Sequence, residues 1–431
     1  MAVVGVFVLA AIVFGYGLVS KRLARVSVTG PMVFVAAGIL AGPSGLDLVD
    51  LPFDESGIEL LAEATLGLVL FSDATRIDLK VLRRQIQLPA RLLGIGLPLT
   101  IIAGGLVAAA LFTELTWAEA ALLGAVLAPT DAALGQEVVT NRAVPVRIRQ
   151  ALNVESGLND GLVVPVVTVL LGIAVAEAGA SATSALTFAA EQIGYGLLVG
   201  IVAGLGGGFL IRRASKAGWI DGIFQQLATL AVAVLAVTGA QAIGGNGFLA
   251  AFVAGLAFGW VARTECEHVQ DFTEDAGQLL SMLTFFFFGA VIAGPAIGDL
   301  TWQVGLYAVL SLTVVRMIPV ALSLVGSGLQ WESVLFMGWF GPRGLASILF
   351  GLIIVGEVDL PGTDLILLVV TWTVMLSIVV HGVTARPWSA RYAVEMEEMA
   401  GETEMPEEEV VEEMPVRTFS MDWHRQASGD T

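Results

Sequence analysis

ALNVESGLNDGLVVPVV, residues 151–167, places two carboxylates, Glu155 and Asp160, beside Ser156 and Asn159 in a segment that then runs apolar to Ile173. On a helix Glu155 and Asn159 are i,i+4 neighbours, and so are Ser156 and Asp160. The stretch therefore predicts a helix that carries ionisable groups into an apolar environment. What that environment is follows from the rest of the chain.

The chain has 431 residues, of which 56% are hydrophobic and 14% charged, with 50 glycines and a mean hydropathy of +0.84. Soluble domains carry about 25% charged residues. Apolar runs recur near residues 3–20, 31–47, 58–74, 92–112, 118–139, 152–176, 191–211, 222–242, 248–262, 277–297, 303–325, 333–356 and 365–385. Runs of about 20 residues cross a hydrocarbon core of ~30 Å. The reading is an all-α polytopic membrane protein with about 13 transmembrane helices. The first run has no basic residue before it and KRLAR after it, the reverse of a signal peptide, so it is expected to be retained.

A net charge of −18 suggests an acidic protein, but much of the acid lies in VEMEEMAGETEMPEEEVVEEMP, residues 394–415. That composition reads as a disordered, solvated tail. The single cysteine, Cys266, excludes intrachain disulfides and thiolate clusters. His268, His381 and His424 fall in different segments, so neither a metal centre nor another cofactor is expected. No lysine follows a glycine, which excludes a GxxxxGK phosphate loop and an ATP-driven pump in this chain. Nothing in the sequence points to nucleic acid.

Basic residues mark the cytoplasmic side of membrane proteins. Lys21, Arg22 and Arg25 follow run 1; Arg76, Lys80, Arg83, Arg84 and Arg91 follow run 3; Arg142, Arg147 and Arg149 follow run 5. Arg212, Arg213 and Lys216 follow run 7, Arg263 follows run 9, and Arg386, Arg391, Arg417 and Arg425 come after run 13. These 19 share one side, which puts the N-terminus outside and the tail inside a cell membrane. Arg316 and Arg343, the remaining two, lie within runs.

Charge inside a membrane is costly, so each such residue is a functional candidate. Asp160 lies 11 residues past Arg149 and Asp131 lies 11 before Arg142. At 1.5 Å per residue each is about 16 Å deep, near the midplane. Arg343 and Arg316 come to similar depth. The backbone is interrupted in the same layer, by LAPTDAAL (127–134) in run 5 and by GWFGPRGLAS (338–347) in run 12. Pro129 removes a donor and disfavours helix at Ala128, run 12 carries Gly341, Pro342 and Gly344, and each run is expected to unwind mid-membrane. Paired interruptions in two halves of a chain point to a transport site built from inverted repeats, here runs 4–6 and 11–13. Ser156 and Asp160 offer hard oxygen ligands to a small cation, with Thr130 and carbonyls freed by the break completing the shell. Glu155 is placed to pair with an arginine, and depth alone does not choose between Arg316 and Arg343.

With these residues named, the chain resembles the monovalent cation/proton antiporters, in the branch of the sodium/hydrogen exchangers. The resemblance rests on APTDAAL, VESGLNDG, LTVVRMIPV (312–320), GWFGPRGLAS and TGPMVFVAAGILAGPSGL (29–46), and spans roughly residues 20–390. It implies that Asp160 is where a cation and a proton compete. Asn159 stands where the electrogenic branch carries a second aspartate, which implies electroneutral one-for-one exchange. Glu155 resembles the family's structural acid, with Arg316 as partner, and Asp131 and Thr130 flank the ion site. Asp73, in LFSDATRIDL (70–79), resembles an acid near the inner funnel. The usual Thr-Asp-Pro order stands here as Pro-Thr-Asp.

The implied organisation is scaffold and dimerisation helices at 1–87 and 177–302, transport core at 88–176 and 303–386, and an acidic disordered cytoplasmic tail at 387–431. The implied partners are Na+ or another monovalent cation, H+, the lipid membrane and a second copy of the chain. An organic-anion symporter of the same fold and a cation channel are the alternatives, and the ligand types do not choose between sodium, potassium and lithium. GPSG at 42–45 matches an intramembrane protease pattern but reads better as a helix-ending turn. Gly196, Gly200, Gly204 and Gly208 form a stripe that allows close helix contact, within the chain or between copies. FFFFG at 285–289 reads as lipid or core packing.

Overall fold

In hydrocarbon a peptide group finds partners only inside its own helix or a closed barrel, and apolar runs without strand alternation therefore fold as helices. The computed structural model describes residues 2–48, 55–131, 133–179, 181–262, 269–357, 360–400, 405–409 and 411. Arg263, Cys266, His268, Arg417, His424 and Arg425 lie outside the described residues.

Among the described residues every regular element is helical. The order begins α1 (Ala2–Ala24), α2 (Gly30–Ala41), α3 (Glu55–Arg76) and α4 (Leu79–Arg84). Helix α5 (Gln87–Arg91) continues through a π turn at Leu92–Gly96 into α6 (Leu97–Leu111). Then come α7 (Trp117–Val126), α8 (Gln136–Thr140), α9 (Val146–Glu177), α10 (Ala182–Lys216), α11 (Gly222–Ala242), α12 (Gly247–Ala262) and α13 (Val269–Phe287). A second π turn at Phe288–Ala293 leads to α14 (Gly294–Ala296). The chain continues with α15 (Trp302–Leu312), α16 (Val314–Ser323), α17 (Trp331–Trp339), α18 (Leu345–Glu357) and α19 (Thr363–Ala400).

Among the described residues eight helices are long and apolar enough to cross a membrane unaided, and four shorter apolar helices, Gly30–Ala41, Trp117–Val126, Gly247–Ala262 and Leu345–Val355, add to them. Eight is fewer than the 13 runs read from sequence partly because two of the short helices are halves of interrupted ones. Phe7, Phe14 and Leu18 of α1 are about 70% exposed, a surface suited to lipid and not to water.

The order long helix, interrupted helix, long helix occurs twice: α5–α6, α7/α8, α9, and then α15–α16, α17/α18, α19. Glu119 ties the two sets at one end. Its carboxylate accepts the Thr116 amide within α7's own cap and the Gly362 amide before α19.

The glycine stripe of α10 is used inside the chain. A Cβ at Gly196, Gly200 or Gly204 would press on the α12 side, against Asn246, Ala250 or Ala254 carbonyl oxygens. Phe285, Phe286, Phe287 and Phe288 are all buried, and Gly289 meets the Val35 backbone of α2, so FFFFG is core. GPSG is a turn that closes α2, with the Gly42 amide bonded to the Gly38 carbonyl.

The tail departs from expectation. Helix α19 runs past Arg386 to Ala400, and Met405–Glu409 also rests on the protein, although disorder was expected from residue 387. Trp388, Tyr392 and Met396 recur every fourth residue and pack on Phe336 and Phe340; Tyr392 stacks on Phe336 with centroids 4.2 Å apart. That apolar stripe outweighs the acidic composition around it.

Candidate ion site at the crossing of two interrupted helices

Helix α7 stops at Val126, two residues before Ala128, where Pro129 disfavours helix, and residues 127–131 and 133–135 are non-helical before α8. Helix α17 stops at Trp339 and residues 340–344 are non-helical before α18. The two breaks touch: the Asp131 amide donates to the Pro342 carbonyl at 2.8 Å.

Each break exposes helix ends with unsatisfied backbone groups and partial charge, carbonyls at the end of α7 and amides at the start of α18. The Arg343 guanidinium, fully buried, donates through Nη1 to the Ala128 and Pro129 carbonyls at 2.5 and 3.1 Å. Asp131 Oδ2 accepts the Leu345 amide of α18 at 2.7 Å, while Oδ1 accepts the Ala133 and Leu134 amides at 2.7 and 3.3 Å. A cation thus caps carbonyls and an anion caps amides. Ser347 Oγ donates to the Val126 carbonyl, and the Arg343 amide donates to Ser377 Oγ of α19. Two glycines permit the approach: a Cβ at Gly344 would sit 2.1 Å from Asp131 Oδ2, and one at Gly341 would sit 2.4 Å from Arg316 Nε.

Helix α9 passes beside the crossing. Glu155 accepts from Arg316 in a two-pronged pair, Nη1 to Oε1 at 2.5 Å and Nη2 to Oε2 at 2.8 Å, with both side chains 2% exposed or less. The choice left open by depth falls on Arg316. One turn on, Thr130 Oγ1 lies 2.9 Å from Ser156 Oγ and accepts from Asn159 Nδ2 at 2.7 Å. The break and α9 are bonded through that hydroxyl. Asn159 Oδ1 is buried with no partner among the described residues.

Asp160, 8% exposed, lines a narrow cleft with Asp131 and Asp73 that has room for about one water. Ser281 and Phe285 of α13 form its far wall. Asp73 also lies 3.8 Å from Arg76. Ser156 lines a second small cleft, with Asn153, Gly135 and Pro342. The structure therefore groups Asp160, Asp131 and Asp73 in one cleft, Thr130, Ser156 and Asn159 in one network, and Glu155 with Arg316 in one pair. Arg343 stands at the crossing itself.

Sequence reasoning missed Ser281, Ser347 and Ser377, single hydroxyls in apolar helices with no spacing signal. It noted His381 only as a lone histidine; the ring is buried, with Nε2 2.9 Å from the Trp339 carbonyl at the end of α17. Among the described residues no three His, Cys, Asp or Glu side chains form a group that could hold a metal ion.

The family profile described as "Sodium/hydrogen exchanger, transmembrane" matches residues 8–391. The chain is 27% identical over 376 residues to the K(+)/H(+) antiporter NhaP2 of Shewanella oneidensis, covering 85% of this chain and 63% of that protein. It is 28% identical over 342 residues to a Na(+)/H(+) antiporter of Schizosaccharomyces pombe, covering 72% and 70%. It thus spans less than two thirds of the length of the NhaP2 relative. Its fold is similar to that of the sodium proton antiporter MjNhaP1 from Methanocaldococcus jannaschii at pH 8, with a TM-score of 0.72 at 21% identity, covering 90% of this chain and 97% of that one.

Proposed function

The chain belongs to the transmembrane sodium/hydrogen exchanger family, and from that premise we propose that it exchanges a monovalent cation, Na+ or K+, for H+ across a cell membrane. The observation that carries this reading is Asp160: a nearly buried carboxylate, in a cleft at the crossing of two interrupted helices, beside the Thr130, Ser156 and Asn159 network. A carboxylate there holds either a proton or a cation, never both, so coupling follows from competition.

Asn159 is neutral, so one carboxylate carries one charge in each direction and exchange is electroneutral. Thr130, Ser156 and Asn159 supply neutral oxygens beside it. Asp131 and Arg343 hold the crossing in shape, Glu155 and Arg316 form a structural pair, and Asp73 stands at the approach to the cleft. Residues 88–176 and 303–386 form the transport core, 1–87 and 177–302 the scaffold and homodimer face, with the N-terminus outside and the end of α19 in the cytoplasm. The asymmetry of basic residues supports that orientation. The relatives' names, one a potassium and one a sodium antiporter, support a monovalent cation without choosing it.

Proteoliposomes carrying a pH-sensitive dye test the reading, with Na+, K+ and Li+ added in turn. Collapsing the membrane potential should leave the rate unchanged for the cation that is exchanged. A rate that scales with imposed voltage contradicts the electroneutral assignment, and cation-independent proton flux contradicts antiport.

A further inference from the structure

The two half-helices that lead into the breaks are capped in related ways, and one of them borrows its cap. At α7 the N-cap Thr116 and the third helical residue, Glu119, cap each other: the Thr116 amide donates to Glu119 Oε2 at 2.8 Å, and the Glu119 amide donates to Thr116 Oγ1 at 3.2 Å. At α17 the N-cap is Gln330 and the third residue is Ser333, which has no carboxylate. The Gln330 amide donates instead to Glu407 Oε1 at 2.7 Å, 77 residues further along the chain. Ser333 Oγ donates to the same oxygen at 2.8 Å and lies 2.7 Å from the Tyr392 hydroxyl. Glu407 is 1% exposed, and Met405 joins the apolar cluster of Phe336, Tyr392 and Met396.

The same segment reaches α9. Arg147 Nη1, one residue into that helix, donates to the Pro406 carbonyl at 2.6 Å and pairs with Glu409 at 2.8 Å. Glu409 and Val411 also line a cleft with Arg84 and Gln85 at the end of α4. Five residues of an acidic segment thus join the start of α9, which carries Asp160, to the start of α17, which carries the second break. The Glu409 side chain is 64% exposed, so its pair with Arg147 lies within reach of solvent and is weakened by salt.

We propose that Met405–Glu409 is a detachable strap, an acidic ligand supplied by the chain itself, which docks on the ends of α9 and α17 and slows exchange while docked. This rests on the transport reading above: moving an ion site between two sides requires the core helices to shift against α4, and the strap has to be carried or released when they do.

The test is made on the full chain in proteoliposomes, comparing wild type with Glu407→Ala by two readouts, amide hydrogen exchange over Gln330–Ser333 and cation/proton exchange rate. Amide exchange there should be about fivefold faster in the variant, the equivalent of one lost cap, and transport should be several-fold faster. Unchanged amide exchange shows that the strap does not dock. Faster amide exchange with transport unchanged or slower makes Glu407 a structural cap and overturns the brake. No cation exchange in the wild type overturns the transport reading and the brake with it, while the amide readout still reports on docking separately.

Discussion

Two opposite charges buried to 2% exposure or less, as at Glu155 and Arg316, are held by one another. Removing one partner leaves an uncompensated buried charge, which costs about 3–5 kcal/mol, whereas removing both is often nearly neutral. Glu155→Gln alone should therefore lower stability in a detergent thermal melt far more than Glu155→Gln combined with Arg316→Met, and the double variant should keep some exchange. Equal loss in single and double variants would contradict the structural role. The sequence placed Glu155 to pair with an arginine, because depth is legible from the helix rise. It did not show which one, because Arg316 and Arg343 share that depth, and only the packing of α16 against α9 and of the second break against the first decides. Asp131 was legible as an intramembrane acid, but its three backbone amide donors were not, since one of them belongs to Leu345.

The interrupted helices were the most legible elements, because Pro129 and the Gly-Pro-Arg-Gly run each forbid continuous helix at a known place. Their mutual capping was not legible, as it joins residues more than 200 positions apart. Gly344 carries a prediction at this scale. Its substitution by alanine drives a methyl into the Asp131 carboxylate, and overpacking of this kind costs about 1–3 kcal/mol. Gly344→Ala should lower both melting temperature and transport, while Gly206→Ala on α10, where a Cβ meets nothing within 4 Å, should change neither much. Wild-type behaviour of Gly344→Ala would contradict the capped crossing. The end of α19 is hard to read for a related reason: its composition argues for a solvated tail, and the Trp388, Tyr392, Met396 spacing that argues for a packed helix is short and surrounded by acid.

Over the whole molecule, hydropathy fixes the solvent and therefore the fold class, and repeated interruption in two halves locates the site. Which face of each helix packs inward is less visible, because in hydrocarbon both faces are apolar. The α10 glycine stripe shows the point: its spacing allowed contact within or between copies, and its packing on α12 is within the chain. What the architecture achieves, on the reading proposed here, is to keep one carboxylate nearly dry between a capped crossing and the α13 wall, so that a proton and a cation exclude each other. The most direct test is the apparent cation affinity of the wild-type protein in proteoliposomes, measured from pH 5 to 8 with Asp160→Asn alongside. Competition at Asp160 predicts that affinity falls about tenfold for each pH unit below the carboxyl's pKa, and that Asp160→Asn folds but does not exchange. A cation affinity that stays flat across that range, or cation/proton exchange by Asp160→Asn, would contradict it.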